Sequence, residues 1–204
     1  MSRIVTFLHT TVDGVAQAPG HPDEDRSGGF EHGGWMPQFQ DAQLGQAIGQ
    51  HMGNMGSDGA LLFGRKTYEH FFEVWPNRKD GNPFTPVLNN TMKYVVSRTL
   101  KEPLPWQNST LLRGDAEQSV AKLRQQREGT VVILGSISLV QSLLRADLID
   151  EMTLTINPIL IGSGRKLLDG SLPFEKLRLV SSMTTPKGVI MVTYQPEHTA
   201  GNAA

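Results

Sequence analysis

The chain has 204 residues, enough to bury one hydrophobic core. Its formal net charge of -1 gives no overall indication of the basic face that capture of nucleic acid requires. It contains no cysteine, which excludes disulfides, thiolate zinc sites and cysteine nucleophiles. No apolar stretch approaches the roughly 18–20 residues that span a bilayer, and the N-terminus lacks the cleavage pattern of a signal peptide. We therefore expect a soluble, cytoplasmic protein with no nucleic-acid or membrane partner.

The first half of the chain alternates short apolar runs with helical patterns. A loop rich in glycine, proline and acidic residues follows the first run, over residues 13–37. Gly45 and Gly49 weaken the first helical pattern by about 1 kcal/mol each, and Trp75-Pro76 ends the second. The predicted elements of this half are a strand over 3–9, a helix over 41–52, a strand over 60–63, a helix over 66–74 and a strand over 94–96.

In the second half, strand patterns alone remain after about residue 150. Asp115 and Ser136 stand where helix N-caps belong. Met152, Leu154 and Ile156 alternate with polar residues, which predicts a half-buried strand with Thr153, Thr155 and Asn157 on its polar face. The predicted elements are a strand near 111–112, a helix from 115, a strand over 130–134, a helix from 136, a strand over 152–158 and a hairpin of 177–183 and 188–194.

This order of elements indicates the fold class. A βαβ-like centre followed by strands predicts an α/β protein with a mixed sheet flanked by helices. We expect one domain over residues 1–197. The polar residues 198–204 are predicted to form a flexible tail.

The segment Gly64-Arg65-Lys66-Thr67 is the first candidate binding site. A strand that enters a helix through glycine leaves the first amides of that helix unpaired, and these amides and the helix dipole favour an anion. The two basic side chains would add positive charge, and the Thr67 hydroxyl could donate to a phosphate oxygen. An ordinary turn with exposed basic residues is the alternative interpretation.

Two further segments share this position at the end of a predicted strand. Gly135-Ser136-Ile137 would let a ligand approach the backbone closely, although taken alone the segment fits a plain N-cap better. In Ser97-Arg98-Thr99, the arginine could bind a phosphate through its planar fork, although a solvated arginine is the alternative. Because the carboxyl ends of parallel strands meet at one edge of a sheet, the three segments together favour a phosphate-binding groove.

Other common sites lack support in the sequence. The six histidines form no i, i+4 pair and no HExxH motif. Asp23, Glu24 and Asp25 lack the spacing of a calcium loop, and no G-x-S-x-G motif is present. The segment Gly162–Lys166 matches neither a dinucleotide fingerprint nor a P-loop. We therefore expect no metal site.

The order of these motifs resembles a known family. The chain carries TVDG at 11–14, LFGRKTYE at 62–69, VSRT at 96–99, GS at 135–136, LIDE at 148–151 and PILIGSG at 158–164. It is similar to the dihydrofolate reductase-like superfamily, and most similar to the branch of the C-terminal reductase domain of bifunctional riboflavin-biosynthesis proteins. The resemblance implies a mixed, mostly parallel eight-stranded sheet that binds NADPH across its carboxyl edge, and a homodimer.

The resemblance also implies roles for single residues. The 2′-phosphate would lie at Ser97, Arg98 and Thr99, and Asp13 and Gly14 would lie beside the nicotinamide and the substrate. The residues implied to hold the pyrophosphate are Gly64, Arg65, Lys66, Thr67, Gly135, Ser136 and Ile137. The chain departs from true dihydrofolate reductases in two places. They usually carry Gly-Gly at 135–136, in the turn implied to hold the pyrophosphate. The loop 18–37, which would shape the substrate pocket, has no clear counterpart in them, and this argues against folate as the substrate.

The predicted reaction is hydride transfer from NADPH to a small heterocycle, which is pteridine-like or like 5-amino-6-(5-phosphoribosylamino)uracil. Such a reaction needs orientation and a proton source. Asp13 is the first candidate for the catalytic polar group and Asp41 the second, although an Asp-Gly after a strand is also an ordinary turn. Phe30 and Trp35 could stack on the heterocycle or pack on the core. The alternative function is a non-catalytic nucleotide- or flavin-binding protein.

Overall fold

The computed structural model describes residues 1–170, 172 and 175–197, so the predicted tail over 198–204 lies outside the described residues. The strands are β1 (Arg3–Thr11), β2 (Ala60–Gly64), β3 (Met92–Ser97), β4 (Ser109–Arg113), β5 (Thr130–Leu134), β6 (Glu151–Asn157), β7 (Leu177–Thr184) and β8 (Ile190–Pro196). The helices are α1 (Ala42–Gly53), α2 (Arg65–Val74), α3 (Phe84–Asn90), α4 (Ala116–Gln126) and α5 (Ile137–Arg145).

These strands form one sheet in the order β4-β3-β2-β5-β1-β6-β8-β7. The pairs from β4 to β6 are parallel, whereas β8 is antiparallel to both β6 and β7. The predicted α/β class, with a mixed, mostly parallel eight-stranded sheet and a closing antiparallel hairpin, is confirmed. None of the helices in the described ranges combines the length and hydropathy that crossing a bilayer requires.

Helices cover both faces of the sheet. On one face, α4 and α5 pack on the even-numbered side chains of β1, and the buried residues include Ile4, Leu8, Val120, Val140 and Leu143. On the other face, α1, α2 and α3 pack on its odd-numbered side chains, and the buried residues include Val5, Phe7, Ala47, Tyr68 and Leu88. The candidate site lies at the carboxyl edge of the sheet, and its apolar part lies on this second face.

One helix was absent from the sequence prediction. The segment of α3 spans only seven residues, contains Pro86 and ends in Asn89-Asn90, which are weak helix formers, so the apolar spacing of Phe84, Val87 and Leu88 was too short to indicate a helix. Its place in the fold depends on Leu88, which is buried against the sheet. Tertiary packing therefore overrides the weak local preference.

The prediction of a half-buried β6 was correct for the apolar face, where Met152 is 4% exposed in the core, but wrong for the polar face, which is buried as well. Thr153, Thr155 and Asn157 are 0% exposed, whereas Leu154 and Ile156 are only half-buried. Most of the buried polar groups find partners: the Thr153 and Thr193 hydroxyls lie 2.9 Å apart, and the Asn157 side-chain NH2 donates to the carbonyls of Thr10 and Thr155 at 3.1 Å. Asn157 Oδ1 has no hydrogen-bond partner among the described residues. Because hydrogen bonds offset the cost of burying polar groups, polarity alone did not indicate exposure.

Candidate cofactor and substrate site

The carboxyl ends of β1, β2 and β5 open into a cavity of about 1180 Å³. Its floor is formed by the ends of β1 and β5, and its walls by the N-terminal turns of α2 and α5, one side of α1 and the loop after β1. The apolar part lies between α1, α2 and α3, where Ile48, Met52, Phe71, Trp75, Phe84 and Leu88 line it. A concave, mostly apolar wall with polar groups at one end suits a flat ligand.

Two of the three predicted binding segments are joined by hydrogen bonds beside this cavity. The Gly64 amide donates to the Ser136 hydroxyl at 2.8 Å, and that hydroxyl donates to Thr67 Oγ1 at 2.8 Å. A side chain at Gly64 would place a Cβ 3.2 Å from Ser136 Oγ, and one at Gly135 would place a Cβ 3.3 Å from Thr67 Cγ2. The two glycines therefore allow the turns to touch.

Ser136 occupies the N-cap position of α5 as predicted, but its side chain does not cap the helix. Its backbone is left-handed, with φ of 62°, and this conformation directs the hydroxyl to the neighbouring turn at Gly64. The expectation of a side-chain cap was wrong because a tertiary partner, which no local pattern reveals, takes the hydroxyl.

The N-termini of α2 and α5 differ from those of two other helices. Asp41 caps α1 and Asp115 caps α4, whereas neither α2 nor α5 has a side-chain cap among the described residues. The uncapped turns, Gly64–Thr67 and Gly135–Ile137, line the cavity. Their open amides and the positive ends of both helix dipoles favour an anion at this place.

The third predicted segment does not line the cavity. The Ser97 hydroxyl accepts from the amides of Thr99 and Leu100 at 3.1 and 3.0 Å, so it closes its own turn. Arg98 is exposed and lies 3.4 Å from the carboxylate of Asp115. This segment ends β3, the neighbour of β2, and so shares the sheet edge with the two glycine turns.

Asp13, the first candidate for the catalytic group, lies outside the cavity lining. Its carboxylate accepts from the Thr11 hydroxyl at 2.6 Å and from the Gly162 amide at 2.8 Å. The bond from Thr11, aided by backbone amides, lowers the pKa of Asp13 from 3.8 to about 2. Gly14 follows in a turn with φ of 81°. The geometry fits a structural turn that ties β1 to residues 161–162.

An Asp13→Asn variant tests this structural role. Because an amide offers one acceptor oxygen instead of two, we expect the free energy of unfolding at pH 7 to fall by about 0.5–1.5 kcal/mol. The folded-state pKa is lowered, so the contribution of the carboxylate is present above about pH 4 and is lost as the pH falls through about 2. Urea unfolding measured at several pH values from 7 to 2 should show that the difference in the free energy of unfolding between the variant and wild type becomes smaller as the pH falls. An equal difference at every pH would contradict the assignment.

Asp41, the second candidate, also lies outside the lining. Its carboxylate accepts from the Leu44 amide at 2.8 Å and from the Lys187 amide at 3.2 Å. These bonds, the first above all, lower the pKa of Asp41. The residue caps α1 and joins it to the turn between β7 and β8.

Phe30 and Trp35 lie inside the loop and do not line the cavity. They are 4% and 3% exposed and pack with Val15 and Ala18. The Trp35 ring donates to the Gln17 carbonyl at 2.9 Å. Their rings are enclosed by the loop, so the packing interpretation fits their position and stacking on a ligand in the cavity does not.

Gln17, which the sequence analysis did not single out, organises this loop. Its side-chain amide donates to the carbonyls of Asp25 and Ser27 at 3.0 and 2.9 Å, and its side-chain oxygen accepts from the Arg165 amide at 2.8 Å. An ion pair between Arg165 and Asp25 joins the same two segments. These contacts hold one wall of the cavity.

His9 is a second residue that the sequence analysis missed. It lines the cavity from β1, and its Nδ1 lies 2.5 Å from the Thr155 hydroxyl. Burial lowers the pKa of His9 from 6.5 to about 4, so the imidazole is neutral at pH 7. Its place two residues before the TVDG motif is a signal that could have indicated it. In the described ranges, no group of three or more metal-ligating side chains is present.

Comparison with known proteins supplies a family. The RibD C-terminal domain matches residues 3–191 of the chain. The uncharacterized protein YyaP of Bacillus subtilis (strain 168) is 26% identical over 138 residues, which cover 66% of this chain and 72% of YyaP. The uncharacterized protein YwjB of the same organism is 26% identical over 180 residues, which cover 87% of this chain and 88% of YwjB.

Solved structures with the same fold agree with this match. A putative riboflavin biosynthesis protein from Shewanella sp. PV-4 is 23% identical, with a TM-score of 0.66 and coverage of 96% of this chain and 99% of its own. RibD of Acinetobacter baumannii is 14% identical, with a TM-score of 0.61 over 97% of this chain and 58% of its own. Dihydrofolate reductase from Enterococcus faecalis, complexed with NADP(H), is 14% identical, with a TM-score of 0.57 over 96% of both chains. The resemblance drawn from the motifs is thus confirmed, and the chain belongs to the RibD C-terminal domain family.

Proposed function

We propose that this chain is an NADPH-dependent oxidoreductase that transfers hydride to a small heterocyclic substrate, either pteridine-like or like 5-amino-6-(5-phosphoribosylamino)uracil. The observation that carries the proposal is the contact between two uncapped helix N-termini, through Gly64, Thr67 and Ser136, at the rim of the cavity. The structural neighbour from Enterococcus faecalis, complexed with NADP(H), supports this choice of cofactor.

The residues at the rim suit a dinucleotide. The amides of Arg65–Thr67 and of Ser136 and Ile137 would hold the pyrophosphate, since the Gly64 amide already donates to the Ser136 hydroxyl and the Gly135 amide to the Phe7 carbonyl. Arg65 and Lys66 would add positive charge. When bound, NADPH supplies a hydride from C4 of its nicotinamide. The floor available to that ring is the part of β1 beyond Phe7, because Phe7 pairs with Leu134, the last residue of β5, and β1 continues to Thr11.

NADPH titration and turnover test the proposal. We expect NADPH fluorescence to change saturably on addition of the protein, and NADPH absorbance to decay when 5-amino-6-(5-phosphoribosylamino)uracil or a dihydropterin is added. Without saturable binding the proposal fails. Binding without decay would favour the second candidate, a non-catalytic nucleotide- or flavin-binding protein. That candidate has a specific observation behind it, since Asp13 and Asp41 both lie outside the cavity lining.

The preference for NADPH over NADH depends on Arg98 in this proposal. Loss of a charged hydrogen bond to the 2′-phosphate costs about 1.5–3 kcal/mol, so Arg98→Ala should weaken NADPH binding by roughly tenfold or more while NADH binding hardly changes. Arg113→Ala is the matched control, because Arg113 is an exposed arginine at the end of β4, the neighbouring strand. Equal losses of both cofactors in Arg98→Ala would refute the assignment.

We also propose a homodimer, which is the assembly that the resemblance implies. Sedimentation equilibrium measures it directly. A mass of 22.4 kDa at micromolar concentration would correspond to the single chain and would remove this part of the proposal.

A further inference from the structure

Beside the cavity, the last residues of β1 are paired with a neighbouring strand on one side only. Its last residue paired with β5 is Phe7, and Gly135 turns away at that level while β1 continues beside β6 alone. Side chains alternate along a strand, so His9 lies on the same face as Val5 and Phe7, the face covered by α1 and α2. His9 therefore stands next to the glycine turn and under the apolar part of the cavity.

Two neighbours fix the His9 ring. Thr155, which is 0% exposed, is paired with His9 in the register of β1 and β6, and its hydroxyl lies 2.5 Å from Nδ1. The Phe7 ring meets the His9 ring edge-on, with their centroids 5.3 Å apart. The other ring nitrogen, Nε2, has no hydrogen-bond partner among the described residues. When the Thr155 hydroxyl donates to Nδ1, Nε2 carries the hydrogen and is a donor.

The wall across from His9 leaves room for a substrate ring. Gly45 of α1 lines the cavity, and a Cβ built on it would meet nothing within 4 Å. Ile48 continues the same side of α1. Of the ionisable residues lining the cavity in the described part of the chain, His9 alone lies on a strand; the others lie on the loop before α1, on α2 and the segment after it, and at Arg165.

We propose that His9 is the residue that hydrogen-bonds the heteroatom of the reacting C=N or C=O bond of the substrate, and that Thr155 holds its imidazole in the donor tautomer. This inference rests on the proposed reductase function. The hydride goes from C4 of NADPH to the substrate carbon, and the electron pair of the double bond goes to the heteroatom, which takes a proton from water; NADP⁺ is the other product. A neutral imidazole suits this role, because Nε2 keeps its hydrogen and remains a hydrogen-bond donor during the whole reaction.

Four variants test the role of His9 and Thr155. His9→Leu removes the donor, His9→Gln keeps an amide donor, and Thr155→Val removes the hydroxyl while keeping the shape. Thr153→Val is the matched control, because Thr153 is equally buried on the same face of β6 but bonds to Thr193. Thermal unfolding checks that each variant is folded.

The readouts are the Kd of NADPH, the Kd of 5-amino-6-(5-phosphoribosylamino)uracil in the presence of NADP⁺, and kcat/KM where the wild type turns over. We expect His9→Leu to raise the Kd of the heterocycle about tenfold, the loss of one hydrogen bond of about 1.4 kcal/mol, with the Kd of NADPH changed less than about threefold. His9→Gln should recover most of the loss, Thr155→Val should show part of it, and Thr153→Val should match wild type.

The outcomes separate this inference from the reductase proposal. A wild type that binds the heterocycle without consuming NADPH removes the reductase activity, yet a selective loss in His9→Leu would still support the binding role of His9. Wild-type affinity in His9→Leu, or an equal loss in Thr153→Val, overturns the inference while leaving the reductase proposal intact. A wild type that does not bind the heterocycle also overturns the inference.

Discussion

A Gly135→Val variant is expected to fold and to bind NADPH at least tenfold more weakly than wild type. Gly135 has φ of 66°, a conformation in which a β-branched residue is strained by about 1–3 kcal/mol. Its Cβ would lie 3.3 Å from Thr67 Cγ2, so the further methyl groups of valine would push the two turns apart. Separation of the turns would misplace the amides proposed to bind the pyrophosphate. NADPH fluorescence titration measures the loss.

Gly56→Val separates backbone strain from crowding. Gly56 has φ of 70°, close to that of Gly135, but a Cβ there would meet nothing within 4 Å, and the residue precedes β2 at the opposite edge of the sheet. This variant should lose similar stability and retain wild-type affinity for NADPH. If Gly135→Val bound NADPH as tightly as Gly56→Val and wild type, the contact between the glycine turns would have no part in NADPH binding.

The second large effect concerns Lys93, whose ammonium group is buried on β3. The side chain is 0% exposed and donates to the carbonyls of Leu88, Asn89 and Thr91 at 2.8, 3.1 and 2.7 Å. It also lies over the Trp106 ring, 4.6 Å from the centroid. These carbonyls belong to the end of α3, so one ammonium group completes the hydrogen bonds of a helix terminus.

We expect Lys93→Met to lower the free energy of unfolding at pH 7 by about 2–3 kcal/mol, because buried carbonyls left without a donor cost about 1–3 kcal/mol each and relief from burying a charge offsets part of that loss. Urea unfolding monitored by tryptophan fluorescence gives the value. Lys101→Met, at an exposed lysine, should change stability by less than about 0.5 kcal/mol. A loss at Lys93 no larger than at Lys101 would contradict this role.

The pH dependence gives an independent check on Lys93. Burial lowers its pKa from 10.5 to about 8. Between these two values the unfolded chain binds a proton that the folded chain does not, so the stability of the wild type rises as the pH increases from about 8 to 10.5. Lys93→Met lacks this contribution, and the difference in stability between the two proteins should widen over that range. A constant difference would show that the lysine is not desolvated.

Local patterns in the sequence determined most of the architecture. Apolar runs of strand length, helical periods and the Asp115 cap predicted elements that lie where expected, because each depends on residues close together along the chain. Asp115 accepts from the amides of Glu117 and Gln118, two and three residues further on. The α3 helix and the buried polar face of β6 escaped prediction because their stability depends on distant partners.

Some features of the candidate site were likewise predicted from the sequence, and others were seen only in the folded chain. The glycine turns at 64 and 135 were predicted from the sequence, because a strand that meets a helix through glycine is a local event that the sheet then aligns with its neighbours. Asp13 was predicted as catalytic because the family resemblance implied a place beside the nicotinamide and the substrate, and Asp41 because it lies early in the first helix. Only the folded chain shows that backbone amides of residues 161–162 and Lys187 occupy their carboxylates.

The sequence by itself therefore determined the α/β fold and the family, together with the two glycine turns at the rim of the cavity. The tertiary structure decided that Ser136 joins those turns through its hydroxyl, that Phe30 and Trp35 form the interior of a loop, and that His9 lines the cavity. Each of these roles depends on a contact between residues far apart in the chain, and such contacts exist only once the sheet has brought its strands together.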